Sequence, residues 1–155
     1  MSIQPGDTIP DVAIQRVDNG IQPAQTHQLF AGRNVVLFGV PGAFTPTCSN
    51  KHLPDYVKHL AEFRKLGVDV MCLAVNDGYV MQAWAESQQV PAGMLMLADG
   101  NGSFTRALGL ELDGSAFGMG LRTRRFSLYA EDGIVRTLQI EAPGDRARDL
   151  EAVGC

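Results

Sequence analysis

Cysteine is scarce in this chain: there are three, Cys48, Cys72 and Cys155, an odd number at wide and irregular spacing. That pattern excludes the paired framework of a small secreted disulfide domain and the closely spaced thiols of a structural zinc site. Long apolar runs are missing too. Nothing approaches the roughly 18 uncharged apolar residues needed to cross a bilayer, and Met1 to Pro10 has neither the basic start nor the apolar stretch of an export signal. These deficits predict reduced thiols in a reducing compartment: a soluble cytoplasmic protein without a membrane partner. Charge of one sign is also in short supply. The net charge is −4, and the 13 basic residues are scattered apart from Arg122, Arg124 and Arg125, so the broad basic footprint of a nucleic-acid binder is not present.

What is present suits one compact unit. The 155 residues are 45% apolar, enough to bury a single core, and neither a repeat nor a low-complexity linker divides them, so one domain over residues 1–155 is expected. Met1 to Ala31 reads as an irregular N-terminal extension with short strands at Val12 to Val17 and His27 to Leu29. Asn34 to Val40 (NVVLFGV) is a β-branched apolar run of the kind covered on both faces of a sheet. The period then changes to three and four through Leu53, Tyr56, Val57, Leu60, Phe63 and Leu66, an amphipathic helix stopped by Gly67, with Pro54 a point where it could kink.

Val68 to Val75 predicts a second buried strand, Gly78 to Gln88 a helix carrying Trp84, and Met94 to Ala98 a third strand. The turn Asp99 to Gly102 leads to Ser103, which can cap a short helix through Leu108, and a glycine-rich loop runs from Gly114 to Gly120. Arg125 to Ala130 and Ile134 to Ile140 flank Glu131, Asp132 and Gly133 as a hairpin, and Asp145 to Val153 closes the chain as a helix. The order implies an α/β fold: a mostly parallel central sheet with an antiparallel edge, flanked by helices, with its site beyond the carboxyl ends of strands.

The segment PGAFTPTC, Pro41 to Cys48, carries the chemistry. Thr45 suits an N-cap and Pro46 the first helical position, which sets Cys48 in the first turn of a helix. Unpaired N–H groups and the positive end of the dipole there favour an anion, so the thiol should ionise below its reference of roughly 8.5. A thiolate attacks a peroxide oxygen, and the sulfenic acid that results can be rescued by another thiol. A small buried cysteine that merely begins a helix is the bland alternative; the surrounding Pro and Thr residues argue against it.

Pro41, Thr45 and Cys48 spell P-x-x-x-T-x-x-C, and VLFGVPGAFTPTCSNKHLP resembles the type II, atypical two-cysteine peroxiredoxins. The resemblance continues through Asn76 and Asp77 in CLAVND, Trp84, and Arg125, Phe126 and Ser127 in RFS, from about Asn34 to Ile140. It implies a thioredoxin-like fold with a central mixed sheet, in which Cys48 is the peroxidatic residue, Pro41 shields the nascent sulfenate, Thr45 offers a hydroxyl to the peroxide and Arg125 completes the site. A guanidinium never deprotonates and its fixed donors can hold both oxygens while charge moves to the leaving one. Arg124, predicted on the opposite strand face, is the next candidate, and Arg122 is placed in the preceding loop.

His52 stands four residues after Cys48 on the same helical face, and this subfamily also carries a His there. A Cys/His hydrolase would need an oxyanion hole and an orienting partner that the sequence does not offer, so a supporting role fits His52 better. Phe44, Phe117 and Met119 flank the pocket, and the resemblance implies a homodimer formed through that face. For the sulfenic acid three routes stand open: Cys72, expected to be buried mid-strand; Cys155, the last residue; or an external thiol such as glutathione, with glutaredoxin or thioredoxin completing reduction. The external route is favoured. No metal, nucleotide, flavin or haem motif is visible and no cofactor is expected. A C-x-x-C oxidoreductase fails because Thr45 and Lys51 occupy the partner positions, and a C-x5-R phosphatase fails because Pro54 replaces the arginine. A non-catalytic module on the same fold is disfavoured by the complete Pro41, Thr45, Cys48 and Arg125 set.

Overall fold

In the computed structural model, which describes residues 2–45 and 53–140, the chain forms a seven-stranded sheet in the order β2-β1-β5-β4-β3-β8-β9. The strands are β1 (Ala13–Val17), β2 (Ile21–Gln25), β3 (Asn34–Gly39), β4 (Val68–Ala74), β5 (Met94–Ala98), β8 (Phe126–Glu131) and β9 (Ile134–Ile140); β6 (Glu111–Asp113) and β7 (Leu121–Thr123) make a separate two-stranded ribbon. The helices are α1 (Thr26–Phe30), α2 (Leu53–Lys65), α3 (Gly78–Ser87) and α4 (Ser103–Leu108).

Alternation along the central strands splits the core into two layers. Val35 and Leu37 of β3, with Met71 and Leu73 of β4, meet Phe30 of α1 and Phe104 and Leu108 of α4 on one face. On the other, Phe38, Val70 and Cys72 meet Leu53, Tyr56 and Leu60 of α2 and Met81 and Trp84 of α3. Strands covered on both faces must be apolar throughout, which is why NVVLFG and VDVMCLA read as near-continuous hydrophobic runs. Tyr56 anchors α2 by stacking on Phe38, with ring centroids 3.9 Å apart and planes 6° from parallel.

Several sequence expectations change. The sheet is mixed, as the resemblance implied, but not mostly parallel: only β3/β4 and β4/β5 run parallel, whereas β1/β2, β1/β5, β3/β8 and β8/β9 are antiparallel. His27 to Leu29 is helical, because Thr26, Leu29 and Phe30 bury one side of α1 at spacings of three and four. Leu66 lies beyond α2 and is 75% exposed, outside the apolar stripe that predicted it. Ser103 does not cap α4; Asp99 does, accepting from the N–H groups of Phe104 and Thr105 at 3.1 and 2.8 Å. The glycine-rich stretch is the tip of the β6–β7 ribbon, with a short 3-10 helix over Ser115–Phe117. Arg122 belongs to strand β7 instead of a loop. The terminal helix expected at Asp145 to Val153 lies outside the described residues.

Candidate active site

The site is built at the carboxyl end of β3. Val40 continues the parallel ladder by donating its N–H to Leu73 O at 3.0 Å, and the chain then turns over Pro41 to Thr45. The turn is closed twice on one acceptor: Gly42 O receives the Thr45 N–H at 3.4 Å and the Thr45 hydroxyl at 2.7 Å. Its fourth residue, Phe44, has φ of 64° and leaves its ring 54% exposed. A β-branched or bulky side chain in this left-handed region is strained, so the surrounding contacts must hold it there.

Two side chains from elsewhere supply those contacts. Asn76, just past β4, accepts the Ala43 N–H on Oδ1 at 2.9 Å. Arg122 of β7 donates Nη1 to Pro41 O at 3.3 Å and Nε to Met119 O at 3.0 Å. Neither role is legible in the sequence, where Asn76 stands only as part of CLAVND and Arg122 as one of three neighbouring cations. Asp77, next to Asn76, caps α3 by accepting the Val80 N–H at 2.9 Å.

Arg125 reaches the same end of the sheet from the other direction. β8 runs antiparallel to β3 with Gly39 opposite Phe126. One further step of that register would set Arg125 opposite Val40. Phe126, Leu128 and Ala130 of β8 pack in the α1/α4 layer, and Arg125 immediately precedes the strand. Arg124 is committed elsewhere: its N–H donates to Leu110 O at 2.8 Å and its Nε to Glu111 O at 3.2 Å, on β6 and its approach.

Cys72 is completely buried on β4, opposite Phe38 on one side and Met96 on the other. Phe117, at the tip of the β6–β7 ribbon, is 84% exposed. Cys48, His52 and Cys155 lie outside the described residues, as does the helical turn expected to begin at Thr45 and Pro46. Among the described residues there is no cluster of three His, Cys, Asp or Glu side chains able to hold a metal, and no helix is long and apolar enough to cross a membrane.

A mixed sheet with helices on both faces, together with a P-x-x-x-T-x-x-C sequence whose first five residues turn beyond a central strand, defines a thioredoxin-like protein of the peroxidase type. The Redoxin family model matches residues 4–153, and the chain belongs to that family as a type II peroxiredoxin, a thiol-dependent peroxidase. It is 47% identical over 142 residues to peroxiredoxin-2C of Oryza sativa subsp. japonica, covering 90% of this chain and 88% of that one. It is 42% identical over 149 residues to the chloroplastic peroxiredoxin-2E of Arabidopsis thaliana, covering 92% of this chain but spanning only 64% of the relative. Among solved structures, reduced Prx3 from Vibrio vulnificus in complex with H2O2 superimposes with a TM-score of 0.86 at 46% identity, covering 92% of this chain and 90% of that one.

The relatives overturn one expectation. Sparse, unpaired cysteines predict a cytoplasmic location, yet the Arabidopsis relative is chloroplastic. A compartment that keeps thiols reduced need not be the cytoplasm, so cysteine usage does not select it.

Proposed function

We propose that the chain reduces hydrogen peroxide and alkyl hydroperoxides at Cys48, with Thr45, Pro41 and Arg125 forming the rest of the site. The Cys48 thiolate attacks the terminal peroxide oxygen; the S–O bond forms as the O–O bond breaks, and the departing alkoxide or hydroxide takes a proton. Arg125 stabilises the negative charge as it shifts from sulfur to the leaving oxygen. The Thr45 hydroxyl orients the peroxide, and Pro41 screens the sulfenic acid from water. The observation that supports this reading best is the β3–β8 register, which carries both the Pro41–Thr45 turn and the start of β8 to one end of one strand pair.

An external thiol such as glutathione then condenses with the sulfenic acid, releasing water and leaving a mixed disulfide that glutaredoxin or a second thiol reduces; thioredoxin is the alternative donor. The burial of Cys72 favours this route, since a disulfide requires Cα atoms within about 7 Å and an accessible sulfur. The working unit is a single domain that pairs as a homodimer through the face bearing the exposed Phe44 and Phe117.

The test is peroxide consumption by the full chain supplied with glutathione and glutaredoxin, joined to intact mass after one peroxide equivalent. Cys48→Ser should abolish turnover while Cys72→Ser and Cys155→Ser retain it, and the mass should report a sulfenate or glutathione adduct. Normal turnover by Cys48→Ser would end the proposal.

A further inference from the structure

Arg122 is a half-buried cation with two backbone acceptors on two different segments. Its Nε holds Met119 O in the ribbon tip and its Nη1 holds Pro41 O in the site turn, at 3.0 and 3.3 Å. Gly42 makes room for it. A Cβ on buried Gly42 would stand 2.6 Å from Nη1. The same Gly42 Cβ would meet Thr45 Cγ2 at 3.2 Å, so the guanidinium, Gly42 and Thr45 are packed against one another.

We propose that Arg122 is a positioning residue for peroxide reduction: its two-donor fork fixes the plane of the Pro41–Gly42 peptide and, through it, the direction of the Thr45 hydroxyl. This rests on the peroxidase reading given above. In a planar trans peptide the C=O and N–H point opposite ways, so holding Pro41 O on Arg122 also fixes where the Gly42 N–H points. That N–H has no partner among the described residues. Gly42 O, one peptide later, is the shared acceptor of the Thr45 N–H and hydroxyl, so a rotation begun at Pro41 is passed to Thr45. A lysine could reach one of the two carbonyls but could not hold both in a fixed plane.

The experiment uses the reduced full chain and two rates at Cys48: the reaction with hydrogen peroxide by stopped flow, and alkylation by iodoacetamide followed by mass spectrometry. Arg122→Gln should slow the peroxide reaction about 10- to 100-fold, the scale expected for a misplaced site group. Its alkylation rate should stay within about twofold, because a thiolate needs no Thr45 hydroxyl to attack an alkyl iodide. Arg122→Lys keeps the charge and the stem packing, and should give an intermediate peroxide rate; it decides the matter should the Gln variant fail to fold. A peroxide rate equal to that of the unsubstituted chain in either variant overturns the proposal. So does a parallel loss of both rates with a lowered Tm, which marks general damage. Cys48→Ser runs alongside: turnover retained there would sink the peroxidase reading itself, whatever Arg122 does.

Discussion

Gly39 and Phe126 face each other across the β3–β8 pair, and the glycine leaves the space that the ring fills: a Cβ on Gly39 would stand 2.1 Å from Phe126 Cε1. This contact closes the sheet directly below the site turn. Gly39→Ala should therefore destabilise the chain by about 1–3 kcal/mol, the usual cost of overpacking. That exceeds the gain of roughly 0.5–1 kcal/mol from removing a strand glycine. Denaturant midpoints measure it; a variant as stable as the parent would show that the ring has somewhere else to go.

At Phe44 the backbone conformation opposes the residue. With φ at 64°, a Cβ costs about 1–2 kcal/mol that glycine avoids. Phe44→Gly should thus be more stable than Phe44→Ala by about 1 kcal/mol, even though glycine has more chain entropy to lose. The two variants differ only by a methyl group, so ring contacts cancel. An alanine variant of equal or greater stability would mean that the turn relaxes.

Arg125 and Arg124 are neighbours with different surroundings, and kinetics should separate them. Arg125→Gln should lower kcat/KM for hydrogen peroxide by about 10²- to 10³-fold, as removal of a charge-stabilising donor does. Arg124→Gln, which gives up a bond to Glu111 O, should stay within about threefold. Interchanged effects would move the catalytic assignment to Arg124.

The ribbon tip should respond to acid through Asp113. Its carboxylate is held below the usual 3.8 by the Ser115 hydroxyl and by the Ser115 N–H, which donates at 2.9 Å. A carboxyl whose folded value is depressed steadies the turn above its unfolded value, and that support is lost as pH falls through the folded one. The Ser115 amide resonance should accordingly titrate with a midpoint under 3.8. A midpoint at or above that figure contradicts the account.

The central elements were legible because burial on both faces leaves a strong imprint. β3, β4, β5 and α3 fall within a residue of their expected bounds, and the Asp132–Gly133 turn, with φ of 48° and 76°, matches its Asp-Gly signature. Elements that bury little were not. β2 is polar and contains Pro23, β6 and β7 have three residues each, and α1 is a single turn and a half whose Thr26, Leu29, Phe30 spacing is too short to outweigh a strand reading. At the site, the motif residues Pro41 and Thr45 were visible as chemistry. Asn76 and Arg122 were not, because what they do depends on a backbone N–H 33 positions away and a backbone carbonyl 81 positions away.

Pro23 on the outermost strand has a consequence for the protein at high concentration. An exposed sheet margin is a template on which another molecule's backbone can zip, and a residue without an N–H breaks the row of donors such growth needs. The margin at β2 thereby resists fibrous self-association, and at the opposite end the start of β9 is shielded by the chain itself, since Gly6 donates its N–H to Val135 O at 2.8 Å and Val135 donates to Asp7 O at 2.9 Å.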